Sequence, residues 1–215
     1  MRPARPPALR GAREFHRTAR ARYNAAGMLF EPVSLALPEW VDEVVGDLER
    51  PYPDPRERMR LAVKLARCNV EQRTGGPFGA AIFDLSSFRL VAPGVNRVIA
   101  ESCSVAHAET MAIILAQKRL GTFDLRCEGL PSFELVSSAE PCAMCYGALP
   151  WSGVRRLAYG ATREDVTSIG FDEGDKPADW GRALEARGIE VVHALLREEA
   201  REALECYRRL DGVIY

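Results

Sequence analysis

Two short motifs, His107-Ala108-Glu109 and Pro141-Cys142-Ala143-Met144-Cys145, lie 35 residues apart from histidine to first cysteine, each at an expected helix entry. A proline suits the position just before or at a first turn. Cysteines three apart in that turn point the same way, so both sulfurs can reach one ion. The positive end of the helix dipole favours their thiolate forms. Zinc takes sulfur at about 2.3 Å and imidazole nitrogen at about 2.0–2.1 Å. His107, Cys142 and Cys145 make three ligands and leave a tetrahedral ion one open position, which suits catalysis better than a closed structural site. The other histidines, His16 and His193, have no motif around them. Glu109 follows the histidine closely enough to take a proton from water and carry it to a substrate. The Cys-x-x-Cys alone would read as a redox pair or part of a zinc knuckle; the His-x-Glu upstream turns the reading to zinc catalysis.

Around these motifs, helix and strand signals alternate from Phe30 onward. Leu35–Leu48 reads as a short amphipathic helix. Asp54-Pro55 is an N-cap followed by proline, opening a helix to about Arg73. Gly79–Asp84 and Leu90–Val98 read as strands about a turn at Leu85–Phe88. Helices are expected at Ala108–Leu120, Cys142–Leu149, Pro177–Arg187 and Glu198–Leu210. Further strands are expected at Phe133–Ser137, Val154–Gly160 and Ile189–Ala194. The alternation implies a three-layer α/β domain on a mainly parallel or mixed sheet. A chain of 215 residues suits one domain with extensions, and 47% hydrophobic with 27% charged residues excludes global disorder. No apolar run approaches 18 residues, so no membrane span is expected. Six cysteines are too few for a disulfide scaffold, which favours a reducing, cytoplasmic setting.

On its two motifs the chain resembles the cytidine deaminase-like superfamily of zinc deaminases, from roughly Pro55 to the end. That resemblance implies an αβα fold with a five-stranded mixed sheet, one zinc per chain, and hydrolysis of a cyclic amidine C–N bond. The expected organisation is an Arg/Pro-rich tail over 1–28, a helical extension over 29–54 and the deaminase domain over 55–215. A finer resemblance, to bacterial guanine deaminases, rests on Gly75-Gly76-Pro77-Phe78-Gly79-Ala80, Asn96, Ser138-Ala139-Glu140-Pro141-Cys142, Gly147-Ala148-Leu149-Pro150-Trp151, Gly170-Phe171-Asp172-Glu173 and a final Tyr215. It implies that Phe78 packs against a purine, Asn96 bonds its edge, and Ala108, Trp151 and Tyr215 border the pocket. It gives Glu173 the role of a second catalytic carboxylate, placed to hold the departing amine. Arg208–Tyr215 would be a lid, in a homodimer that exchanges it with the partner. Pro150 departs from that group's pattern and is expected to reshape the helix end.

Guanine offers an amine and an N1 donor, and a buried carboxylate is a natural acceptor for them. The expected reaction converts guanine to xanthine and ammonia. Other substrates in view are ammeline-type aminotriazines, guanosine, cytosine and, more remotely, adenosine in tRNA. A polynucleotide partner requires cationic surface. Met1–Tyr23 carries seven arginines against Glu14, but beyond Tyr23 there are 22 basic residues against 29 acidic ones. That balance favours a small molecule over nucleic acid. The tail itself reads as a solvated segment or an over-long gene start ahead of Met28, with an RNA-binding arm or an organelle presequence as the alternatives.

Overall fold

A computed structural model of the chain describes residues 33–215, so the expectations for the 1–28 tail fall outside the described residues. The strands form because their apolar runs can be covered on both faces. Gly79–Asp84 (β1) sends Ala80 and Ile82 to one side and Ala81 and Phe83 to the other, all four fully buried. With Leu90–Val95 (β2), Phe133–Ala139 (β3), Arg156–Ala161 (β4) and Glu190–Val192 (β5) it builds one sheet in the order β2-β1-β3-β4-β5. β1 runs antiparallel to β2 and β3, while β3, β4 and β5 are parallel, so the sheet is mixed.

One face carries Ala108–Leu120 (α3) and Ala143–Ser152 (α4), with Ala112, Ile113 and Leu149 packed on Ile82, Leu135 and Leu157. Trp180–Glu185 (α6) adds Leu184 to the same layer. The other face carries Trp40–Val45 (α1), Pro55–Glu71 (α2) and Arg197–Arg209 (α7), through Val41, Met59, Leu65 and Leu204. The arrangement is the three-layer αβα fold with a five-stranded mixed sheet. α2 starts as its sequence implies: the Asp54 carboxylate accepts from the Arg56 amide at 2.8 Å and Pro55 fills the first helical position.

Several elements are shorter than their patterns suggest. α1 covers only Trp40–Val45 because Gly46, at φ +63°, ends it early. β2 stops at Val95, and β5 keeps three residues of the expected six. Arg163–Ser168 (α5) was not expected as a helix; a Thr162–Asp165 capping box creates it with only Val166 buried among its apolar residues. Pro150 does not cut α4 short: the helix continues to Ser152 and ends at Gly153, φ +89°.

Candidate active site

One close approach sets the site. Gly94 in β2 faces the α3 backbone at Ala108 and Ala112, where any Cβ would overlap main chain, so α3 begins directly against the sheet. His107 caps its N-terminus in extended conformation, and Cys142 caps α4 in the same way. The two helix starts meet at one end of the strands, Cys142 following the central strand β3. His107 Nδ1 lies 3.5 Å from Cys142 Sγ and 3.7 Å from Cys145 Sγ. All three donor atoms are within 4.8 Å of one another. A tetrahedral zinc with ordinary nitrogen and sulfur bonds separates such donors by about 3.6 Å, so the cage fits that ion. Hydrogen bonding from Cys145, then from His107, pulls the Cys142 thiol down to about 4 against its burial. The same pairing and deep burial push the Cys145 thiol up. Both sulfurs become thiolates when they ligate a metal.

Glu109, in the first turn of α3, is buried beside this cage, with Ser137 Oγ donating to Oε1 at 3.3 Å. Burial, then the Cys142 thiolate, raises its carboxyl above the ordinary range. Next to the cage is a cavity of about 240 Å³ bordered by Phe78, His107, Glu109, Cys142, Glu173 and Tyr215. Glu173 is 6% exposed, and its Oε2 has no hydrogen-bond partner among the described residues. Burial first, then the charges of Cys142 and Glu109, push its carboxyl up to about 8. Phe78 meets Phe171 edge-on at 5.1 Å, and Phe171 meets Tyr215 edge-on at 5.2 Å, which makes one aromatic wall.

Tyr215 reaches this wall because the chain doubles back after α7. Tyr207 Oη donates to the Val213 carbonyl at 2.8 Å, and Asp211 turns at φ +51°. Burial raises the Tyr215 phenol above the usual tyrosine range, Tyr207 adds to the shift, and the Asn96 side chain opposes it. Asn96 is buried just behind the cavity; its Oδ1 accepts from the Val98 amide at 3.3 Å, and its Nδ2 has no hydrogen-bond partner among the described residues.

Two expected pocket residues lie elsewhere. Ala108 is fully buried, its side chain packed in the core beneath α3 and away from the cavity. Trp151 is 82% exposed and borders a different hollow with Val105 and Phe123. It stands near the far end of α4, where the helix turns its side chain outward.

The sequence signals missed Asn69, Glu140 and Lys176. Asn69 Nδ2 donates to the Gly76 and Asn96 carbonyls at 2.8 and 2.9 Å, which fixes the two loops leading to Phe78 and Asn96. Thr74 Oγ1 donates to Asn69 Oδ1 at 2.8 Å and accepts from Trp40 Nε1 at 3.1 Å, so α1 braces the same loop. A mid-helix asparagine carries no local signature of such a role. Glu140 and Lys176 form a buried ion pair at the cavity edge.

Residues 54–161 match the family model described as the cytidine and deoxycytidylate deaminase zinc-binding region. The chain belongs to that family. Among curated relatives of this zinc deaminase, the guanine deaminase of Bacillus subtilis (strain 168) is 37% identical over 127 residues, 56% of this chain and 77% of the relative. The solved guanine deaminase of Nitrosomonas europaea is 45% identical, with a TM-score of 0.80, over 85% of this chain and all of the other. A protein designated NE0047, solved with 2,6-diaminopurine, is 47% identical with a TM-score of 0.80, over 86% of this chain and 96% of that one. Among the described residues no helix is long and apolar enough to cross a membrane.

Proposed function

We propose that this chain is a guanine deaminase, converting guanine and water to xanthine and ammonia. The observation that carries the proposal is the unpartnered, buried Glu173 Oε2 facing the cavity beside the His107–Cys142–Cys145 cage. A second free carboxylate is more than water activation requires, and it complements the amine and N1 donors of guanine. The buried Asn96 Nδ2 supplies a donor for an acceptor on the purine edge. Similarity to guanine deaminases over most of the chain supports the same reading.

His107, Cys142 and Cys145 would hold zinc, which supplies Lewis acidity that eases deprotonation of water. Phe78, Phe171 and Tyr215 enclose the ring and exclude solvent. A Glu109 oxygen accepts a proton from the attacking water and delivers it to the ring nitrogen beside C2. Water oxygen forms the new bond at C2. Glu173 holds the amine at C2 and gives it a proton, the C–N bond breaks with ammonia leaving, and the proton of the new C2 hydroxyl passes back to Glu173, which leaves the C2 carbonyl of xanthine. Burial pushes the Glu173 carboxyl up, towards about 8, which is the direction a proton donor needs.

Ammonia release from guanine, guanosine, cytosine, adenine and ammeline, measured on zinc-loaded protein, tests the assignment. Guanine should give the highest kcat/KM, and a clear preference for any other member would overturn it.

The functional unit we propose is a homodimer in a reducing, cytoplasmic setting. All six cysteines lie among the described residues as free thiols, which suits that compartment. Val105, Phe123 and Trp151 are exposed around an apolar hollow of about 540 Å³ that Ile113 and Ile114 also border, a surface suited to burial against a second copy. Tyr215, at the end of the Arg208–Tyr215 segment, borders the chain's own cavity; exchange would lay that residue over the partner's. Light scattering of Trp151→Glu should report a monomer, and an unchanged dimer mass would refute this surface.

A further inference from the structure

The Lys176 side chain is only 1% exposed, in a chain with three lysines among 29 basic residues. Its Nζ donates to Glu140 Oε1 at 2.5 Å and to the Pro141 carbonyl at 2.5 Å, and it stands 4.8 Å from the centre of the Trp180 ring. Taking an ammonium out of water is costly, so such a group persists only where an ion pair and hydrogen bonds offset the loss. Both of its acceptors come immediately before Cys142, the first ligand on α4. Glu140 is held in turn, since Oε2 accepts from the Arg163 amide at 3.3 Å.

Lys176 also stands three residues after Glu173, on a stretch without regular structure between α5 and α6. Few ties fix that stretch near the cavity. The Ala143 amide donates to the Glu173 carbonyl at 2.9 Å, and Gly174, at φ +66°, passes close against the Ala143 methyl. The Gly174 amide donates to Asp172 Oδ1 at 2.9 Å, which only tightens the loop on itself. Lys176 is the side chain that crosses from the loop to the α4 entry.

We propose that Lys176 is a positioning residue: its clamp on Glu140 and Pro141 holds the loop so that Glu173 meets the substrate amine. The inference rests on Glu173 acting in guanine turnover. Lysine suits the place because a compact ammonium can satisfy two close acceptors and face a ring, whereas the wider planar fork of arginine would force the acceptors apart.

A double-mutant cycle on zinc-loaded protein tests this, combining Lys176→Met with Glu173→Gln. Lys176→Met should lower kcat on guanine about a hundredfold, as misplacement of a reacting group by about 1 Å does, with KM nearly unchanged and one zinc per chain retained. In the Glu173→Gln background the same change should alter kcat by less than about twofold, because the group being positioned has already lost its function. Lys176→Arg is carried through the same cycle with the same expectation, so the test holds if the methionine variant does not fold. An equal loss of kcat in both backgrounds, or wild-type kcat in the Lys176 variants, would overturn the inference while leaving the Glu173 reading intact. Wild-type turnover in Glu173→Gln alone would instead remove the Glu173 reading, and the inference with it.

Discussion

Glu109→Gln changes one oxygen to nitrogen at the floor of the cavity and removes the group that takes and delivers the proton. A positioned acid–base group is worth about 10²–10⁴-fold in rate. The surroundings put this site in the upper half of that range, because no other carboxylate is free to substitute. Glu140 is engaged by Lys176 and Arg163, Asp172 by the Gly174 amide, and Glu173 is committed to the amine side. The expected fall in kcat is therefore about 10³–10⁴-fold, or roughly 4–5.5 kcal/mol of barrier at about 1.36 kcal/mol per tenfold. The fold should not suffer. Burial already disfavours the charged carboxylate, and a neutral amide of the same shape removes that penalty while keeping the Ser137 contact possible. Ammonia release from guanine gives kcat, metal analysis gives zinc per chain, and thermal unfolding gives stability. A Glu109→Gln protein with full zinc and turnover within tenfold of wild type would refute the proton-transfer role.

Cys142→Ala should lose zinc and guanine turnover together, against one zinc per chain in the wild type, as read by metal analysis; full zinc in the variant would dismiss the cage. Arg58→Met should cost about 3 kcal/mol in denaturant unfolding, because it leaves the buried Glu134 carboxylate with only the Arg156 guanidinium at 3.9 Å and the Tyr52 and Pro53 carbonyls without their donor. Asp165, held mainly by Arg197 at 2.7 and 2.9 Å, has its carboxyl lowered to about 2. A depressed carboxyl stabilises the fold above its unfolded value near 3.9 and loses that contribution as pH falls through about 2. With the partner arginines half exposed, Asp165→Asn should cost about 1 kcal/mol at pH 7, and the gap to wild type should close in unfolding curves taken towards pH 2. Deleting Met1–Tyr23 should leave guanine kcat/KM nearly unchanged, and a large loss would make that segment part of the catalytic unit.

The parts of this molecule that were legible in its sequence are those whose physics is local. His107, Glu109, Cys142 and Cys145 follow from spacing within single helix entries, and the strands follow from apolar runs that both sheet faces can bury. What the sequence hid depends on which way a helix turns or on residues far apart along the chain. Trp151 has the composition of a pocket wall, yet its direction is set by how α4 sits on the sheet, and that sends it to solvent. Lys176 and Glu140 are 36 residues apart, and neither carries a spacing signal. Asn69 sits inside a helix whose periodicity announces only core. Each hidden residue is a brace, whereas His107, Glu109, Cys142, Cys145, Phe78, Glu173 and Tyr215 belong to the cage or border the cavity. Chemistry demands particular residue types at short spacing, whereas bracing demands only that some polar side chain arrive at the right point in space. If Lys176 sets the reach of Glu173, then kcat on guanine is adjustable without touching any residue in contact with the base.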